Sequence, residues 1–307
     1  MKILGHIHTF NDADIIEQTL EALLAQTYPL PEILLVDNAS TDGTLDRDFP
    51  EKVTVLRHEA NLGTSGTVIT GMQYALAHQY DWIWIFDADS VVPKDSLAKL
   101  VELYNTMATA CRERVGFLAC LPLSKPDDRP MHGALFTSRG LKVVRPKQEQ
   151  PCYRCHVTIW SGCLYSMAMV RVVGFPSPDY VLDWGEFEYD YRIMKVGYLG
   201  FVHCDSILHH NIRGSSSLSP RRVHIGPFTL RGYEFPPIRC YYALRNMLYF
   251  CLYQMEEYRL ALLRGIIWWV VRLTGNFLLR PLHHQQHIVA CFRGIWHGLR
   301  KRMQQRF

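Results

Sequence analysis

Trp82-Ile83-Trp84-Ile85-Phe86-Asp87-Ala88-Asp89 is an unbroken apolar run that ends in two carboxylates with one residue between them. A short run of this kind, rich in aromatic and β-branched residues, reads as a strand covered on both faces, which belongs in the middle of an α/β sheet. Such sheets hold their ligands outside the C-terminal ends of the strands, which is where Asp87 and Asp89 fall. Two acidic side chains converging there repel each other unless a cation lies between them. Oxygen ligands favour a hard divalent ion, Mg²⁺ or Mn²⁺, and a metal-bound diphosphate is the natural guest. Asp-x-Asp turns are also common at strand ends, so the triplet alone leaves a plain turn open.

Outward from this stretch, β-rich runs alternate with helical segments. Strands are expected at residues 3–8, 32–36, 53–57 and 81–86, with helices at 14–25 and 65–78. That alternation predicts a mostly parallel sheet flanked by helices. A helix over 94–110 with Pro93 in its first turn and a strand over 115–120 follow. Residues 121–160 are less periodic and suit loops and hairpins bordering a site. Further on come a helix at 186–196 and strands at 200–203 and 206–209. The polar stretch 211–237 carries Arg213, Arg221 and Arg222 and reads either as a lid whose arginines clamp an anion or as an ordinary surface loop. From residue 238 onward Tyr241, Tyr242, Leu244, Leu248 and Leu252 form a helical stripe. The expected organisation is therefore a catalytic domain over residues 1–237 and a helical C-terminal extension over 238–307.

With 48% hydrophobic and 20% charged residues in 307, the chain is an ordinary globular protein and not a disordered one. A net charge of +4 does not indicate a nucleic-acid partner. Arg293, Arg300, Lys301, Arg302 and Arg306 crowd the C-terminus, where an anionic membrane surface and a solvated helix end are both open readings. Trp268 and Trp269 fit either a lipid headgroup layer or a core or dimer-interface helix. The segment 260–282 is broken by Arg264, Arg272 and Arg280, so it is expected to lie in an interface rather than cross a bilayer. Nine scattered cysteines and an opening without a charged-then-apolar leader read as a reduced, cytoplasmic protein, peripheral on the membrane if the tail binds lipid. Cys152, Cys155 and His156 have no second ligand pair to complete a zinc site.

Two further turns lie at expected strand ends. Residues 37–44, Asp-Asn-Ala-Ser-Thr-Asp-Gly-Thr, make a tight turn in which Asp37 can accept hydrogen bonds from a base or ribose, or simply cap a helix. Residues 61–66, Asn-Leu-Gly-Thr-Ser-Gly, open a helix with small residues and backbone donors that suit a diphosphate. Their glycines fit neither a P-loop nor a G-x-G-x-x-G dinucleotide turn.

Thr9-Phe10-Asn11, the 37–44 turn, Asn61-Leu62-Gly63, Asp87-Ala88-Asp89, Ser161-Gly162, the stretch Asp183-Trp184-Gly185-Glu186-Phe187-Glu188 with Arg192 and Gly197, and His210 occur in an order and spacing that resembles the inverting family 2 glycosyltransferases. Within that family the chain is most similar to bacterial rhamnosyltransferase and galactofuranosyltransferase-like members. The resemblance implies a GT-A fold, a nucleotide-sugar donor and a divalent metal. Thr9, Asn11, Asp37, Asn61, Gly63 and Asp87 would bind the donor, and Asp87, Asp89 and His210 the metal, with His209 a neighbour that competes for the last place. Glu186 would be the catalytic base, although Asp is common there, and Trp184 and Glu188 would bind acceptor or orient the base. Many relatives carry Asn or Arg where this chain has Ile69 and Thr70.

These roles imply metal-dependent transfer from a UDP- or dTDP-sugar to a glycan or lipid-linked glycan in cell-surface polysaccharide synthesis. Two alternatives remain open at the level of sequence: transfer to polyprenyl phosphate, and a catalytically silent nucleotide-sugar binding or scaffold protein.

Overall fold

The four N-terminal apolar runs form β1 (Ile3–Thr9), β2 (Glu32–Asp37), β3 (Val53–Arg57) and β4 (Trp82–Asp87), joined through α1 (Ile16–Leu24) and α2 (Gly63–Ala77). Successive side chains of a strand point to opposite faces, and both faces here are covered, so nearly every position must be apolar. Leu4, Leu34, Ile83 and Ile85 pack on one face with Val68 and Met72 of α2. Ile3, Ile7, Ile33, Leu35, Trp84 and Phe86 pack on the other with Ile16 and Leu20 of α1. Full burial of each such side chain contributes about 1.5–3 kcal/mol.

The computed structural model describes residues 1–125, 128–138, 140–146, 149–210, 221–225, 228–232, 236–255 and 284–304. Beyond β4 come α3 (Ser96–Thr106), α4 (Thr109–Arg112), β5 (Val115–Ser124), β6 (Arg129–Pro130), β7 (Ala134–Thr137), β8 (Gly140–Val143), β9 (Cys152–Cys155) and β10 (Cys163–Ser166). They are followed by α5 (Met167–Val173), α6 (Gly185–Lys195) and β11 (Leu199–His210). The predicted helix at 94–110 starts later, at Ser96, and is interrupted at Met107, whose ψ is 143°. Pro93 precedes it, and its carbonyl accepts hydrogen bonds from the Ser96 N–H (3.1 Å) and Gln26 Nε2 (2.9 Å).

The main sheet has the order β3-β2-β1-β4-β10-β5-β11-β9, with β6 paired to β5. Among the described residues it is a mixed sheet: β6, β9 and β10 run against the other six strands. The chain builds outward from β1 to β3 and then returns to place β4 on the opposite side of β1, so the topological switch point lies between β1 and β4. The two strands expected at 200–203 and 206–209 are one strand, β11, with a bulge between His203 and Ile207.

Backbone contacts divide the chain into two compact units. One comprises Met1–Leu135, Val143–Pro178 and Gly185–Gly214, and the other Phe136–Lys142, Asp179–Trp184 and Ser215–Phe307. In the second unit, β12 (Arg221–Ile225) and β13 (Phe228–Gly232) pair as an antiparallel hairpin, and α7 (Pro237–Tyr249), a π-helical turn (Phe250–Gln254) and α8 (His284–Leu299) follow. The backbones of α7 and α8 approach so closely that a Cβ on Gly294 would lie 2.6 Å from the Tyr241 carbonyl oxygen, and one on Gly298 would lie 2.8 Å from that of Arg245. Arg213 of the expected clamp lies outside the described residues, as do Trp268 and Trp269, and only the backbone of Arg221 and Arg222 is described. None of the nine cysteines forms a disulfide. Among the described residues Cys152, Cys155 and His156 do not gather as a metal cluster, and no helix is long and apolar enough to cross a membrane.

Candidate active site

Register across the switch point assembles the first part of the site. Thr9 is paired with Asp37 on one side of β1, and His8 with Asp87 on the other. The His8 imidazole Nε2 lies 2.6 Å from Asp87 Oδ1, Asp87's N–H donates to Ser161 Oγ at 3.1 Å, and His210 Nδ1 is 3.7 Å from Asp87 Oδ2. Burial alone would raise the pKa of Asp87. His8, acting through charge and hydrogen bond, outweighs it together with His210 and Ser161, so the carboxyl is held well below the usual carboxylate range.

Asp87, Asp89 and His210, all half-buried, each offer a ligand atom, and these atoms lie within 4.8 Å of one another. Two carboxylates and an imidazole suit Mn²⁺ or Mg²⁺. Ser90 Oγ lies 2.8 Å from His210 Nδ1 and fixes that ring. The neighbouring His209 instead has Nδ1 3.6 Å from Asp128 Oδ1. Ser161 arrives through β10, whose reversed direction brings its entry beside the tip of β4. There Gly162, at φ +79°, donates its N–H to the Ile85 carbonyl at 2.8 Å.

The expected donor residues form a connected frame. Thr9, only 2% exposed, donates its hydroxyl to Asp12 Oδ2 at 2.9 Å. Asn11, at φ +58°, donates its N–H to Ser40 Oγ and accepts the Thr41 N–H. Asp37 is fully buried and its oxygens face the Ser40 N–H and Arg57 Nε, the latter at 3.4 Å. Asn61 Oδ1 accepts from Asn38 Nδ2 at 2.9 Å and from the N–H of Gly63, which sits at φ +75° and opens α2. Thr70 lies 2.9 Å from Nε2 of His58, whose Nδ1 faces Asn38 Oδ1 at 3.2 Å, so α2 is tied to the same turn.

Glu186 stands half-buried in the first turn of α6. A Cβ on the preceding Gly185 would lie 2.7 Å from both Ser65 Oγ and the Trp160 ring, so only glycine lets α6 start against the first turn of α2. Glu188 is buried, and its oxygens receive Arg192 Nε, Arg192 Nη2 and the Ser177 N–H, which ties it to Arg192 and the 174–178 turn. Deeper still, Asp190 is fully buried, accepts from Tyr165 Oη at 2.9 Å, and has its pKa raised by burial and then by Glu186 and Glu188.

Trp184 belongs to the second unit, where its ring packs 6.0 Å from that of Phe250. Asp183 and Trp184 have φ of +57° and +68°, two consecutive left-handed residues immediately before Gly185. Strained backbone of this kind persists only when its surroundings hold it. Asn246 Nδ2 donates to the carbonyls of Leu182 (2.8 Å) and Asp183 (2.9 Å), Arg245 Nη2 to that of Asp179 (2.6 Å), and Arg239 grips the Asp183 carboxylate at 3.0–3.2 Å. Neither His8 nor the Arg245-Asn246 pair was among the expected site residues. The available signal for His8 was a histidine at period two in the strand beside Asp87; Arg245 and Asn246, fully buried in the structure, interrupt an apolar helical stripe and gave no such signal.

A family profile described as Glycosyl transferase family 2 matches residues 6–168. The galactofuranosyltransferase GlfT1 of Mycobacterium tuberculosis is 25% identical over 228 residues, covering 71% of this chain and 72% of its own. Among solved structures, S. aureus TarS 1-349 in complex with UDP-GlcNAc superposes with a TM-score of 0.61 at 17% identity, over 99% of this chain and 83% of that one. GalNAc-T7 with UDP, GalNAc and Mn²⁺ superposes with a TM-score of 0.55 at 19% identity, over 68% of this chain, which spans 43% of GalNAc-T7. At these identities the two structures speak for the GT-A fold.

Proposed function

The chain belongs to glycosyl transferase family 2, and from that premise we propose that it is a metal-dependent, inverting enzyme that moves a sugar from a UDP- or dTDP-sugar to a glycan or lipid-linked glycan during cell-surface polysaccharide synthesis. The observation that carries this reading is the convergence of Asp87, Asp89 and His210 near the β1/β4 switch point, in the unit where Gly185, next to Glu186 in the chain, packs close to Ser65 in the first turn of α2. The enzyme would work on the cytoplasmic side of a membrane, where such acceptors are elongated.

In this reading Asp87, Asp89 and His210 hold Mn²⁺ or Mg²⁺. When bound, the ion neutralises the charge that grows on the nucleoside diphosphate as it leaves. Thr9, Asn11, Asp37, Asn61 and Gly63 shape the donor cleft. For Asp37 to receive the base or ribose, the nucleotide would displace Arg57, whose side chain is 58% exposed and also donates to the Ser40 carbonyl at 2.8 Å. Glu186 takes the proton from the acceptor hydroxyl as that oxygen bonds to the sugar carbon and the carbon–diphosphate bond breaks. A single displacement from the face opposite the leaving group inverts the anomeric centre without a covalent intermediate. Trp184 would line the acceptor side, and Glu188, through Arg192, would hold the helix that carries the base.

The test is a thermal unfolding series against UDP-, dTDP- and GDP-sugars with and without Mn²⁺, on wild type and Asp89→Ala, with donor hydrolysis measured in parallel. A ligand that binds the folded state raises the midpoint. The expected result is a metal-dependent rise with one nucleotide that is absent in Asp89→Ala, together with slow donor hydrolysis. The absence of any rise at millimolar nucleotide in folded protein would overturn the reading.

A further inference from the structure

We propose that the outer face of α8 is a docking surface for an anionic lipid bilayer. One side of this helix, Ala290, Cys291, Gly294, His297 and Gly298, is buried. The opposite side exposes Ile288 (40%), Val289 (51%), Phe292 (70%), Trp296 (49%) and Leu299 (46%). Their spacing of three to four residues places them in one stripe, so the helix is apolar toward its own unit and apolar again toward the outside.

Charge decides the occupant. Residues 284–304 contain no aspartate or glutamate, while Arg293, Arg300, Lys301 and Arg302 are all exposed along the border and at the end of the stripe. The Arg300 guanidinium lies 3.8 Å from the centre of the Trp296 ring, so a cation and an amphipathic aromatic share one level, as at a lipid headgroup layer. A second copy of the chain would bring the same cations against each other around an isologous contact, with no acids on this helix to offset them. Phospholipid headgroups supply the missing negative charge and acyl chains the apolar phase. The inference rests on the transferase reading only for its purpose, to hold the enzyme where lipid-linked acceptors lie. Lipid binding itself requires neither donor nor acceptor.

The experiment is co-sedimentation of the full chain with vesicles of phosphatidylcholine alone and of phosphatidylcholine mixed with phosphatidylglycerol. Wild type, F292Q/W296Q and R300Q/K301Q are compared, and each preparation is checked for its unfolding midpoint, its sedimentation mass and its metal-dependent nucleotide binding. The expected result is binding to the anionic vesicles, weakened by salt and by R300Q/K301Q, and reduced about ten-fold or more in F292Q/W296Q with the midpoint and nucleotide binding unchanged. Three outcomes overturn the proposal: no binding to anionic vesicles, equal binding by F292Q/W296Q, or a wild-type dimer that F292Q/W296Q dissociates. Vesicle binding without nucleotide binding would leave this proposal standing and remove the transferase reading.

Discussion

His8 Nε2 lies 2.6 Å from Asp87 Oδ1 across the β1–β4 register, while the other oxygen of that carboxylate is turned toward His210. One oxygen is thus committed to a neighbouring strand and the other is presented to the cluster. Partners behind a ligand usually matter almost as much as the ligand. Replacing His8 with Ala should weaken Mn²⁺ binding by about 10–100-fold, read by electron paramagnetic resonance titration without substrate, and His8→Asn should recover part of the loss. Unchanged Mn²⁺ affinity in a folded His8→Ala protein would remove this role.

Glu186→Gln keeps the size of the side chain and removes its capacity to accept a proton. Turnover should fall by about 10²–10⁴-fold, the usual contribution of a general base, while donor still raises the unfolding midpoint as in wild type. If the variant retained full turnover, the base would have to be sought elsewhere.

Asn246→Ala removes two hydrogen bonds to the carbonyls that frame the left-handed pair Asp183-Trp184. The stability cost should be about 1–3 kcal/mol by urea unfolding, the range for buried groups that lose a partner. Because the affected residues run directly into Gly185 and Glu186, kcat should fall more than KM changes. A stability loss with unchanged kcat would show that the strained pair is held by other contacts.

At the start of β2, Glu32 receives the hydroxyls of Thr54, Tyr74 and Tyr80 at 2.5–2.6 Å. Burial pushes its pKa up, but the three donors, with His78, bring it below the ordinary 4.5. A carboxylate with a depressed folded-state pKa contributes stability that is present above its unfolded value and lost as pH falls through the folded one. The stability gap between wild type and Glu32→Gln should therefore be constant near neutrality and close below about pH 4.5, followed by chemical unfolding across pH. A gap that persists unchanged at pH 2 would mean the carboxylate charge does not matter there.

Much of the sheet is legible from local pattern because burial on both faces demands uninterrupted apolar runs, and Asp87 and Asp89 could be placed at a strand end on that basis, whereas His210 was singled out by the family resemblance. Strand direction is not a local property, so the reversal of β10 is invisible in the four residues Cys163–Ser166. It follows from where the chain has to go next. The start of α3 at Ser96 rather than beside Pro93 is likewise a tertiary matter, since the Pro93 carbonyl serves Gln26 of a distant segment. Arg245 and Asn246 were hidden for the opposite reason: their spacing places them on the buried side of α7, where sequence patterns lead one to expect only apolar side chains. Glu188, singled out by the resemblance, lies one turn of helix from Arg192 and pairs with it, a contact that the i, i+4 spacing makes readable.

The bulge in β11 has a further effect, which concerns counting. Before it, Val202 packs in the layer that contains Phe117 and Tyr165, and Phe201 against the layer that contains Leu118 and Cys120. After it the parity is exchanged, with Leu208 in the second layer and Ile207 against the first. The register explains this: His203 stands opposite Cys120 and Ile207 opposite Leu121, so residues 204–206 are an odd-numbered surplus. In a strand an odd surplus turns every later side chain over. The residue that turns toward Asp87 at the end of β11 is thus the even-numbered His210, four to six residues downstream of the surplus that exchanged the parity.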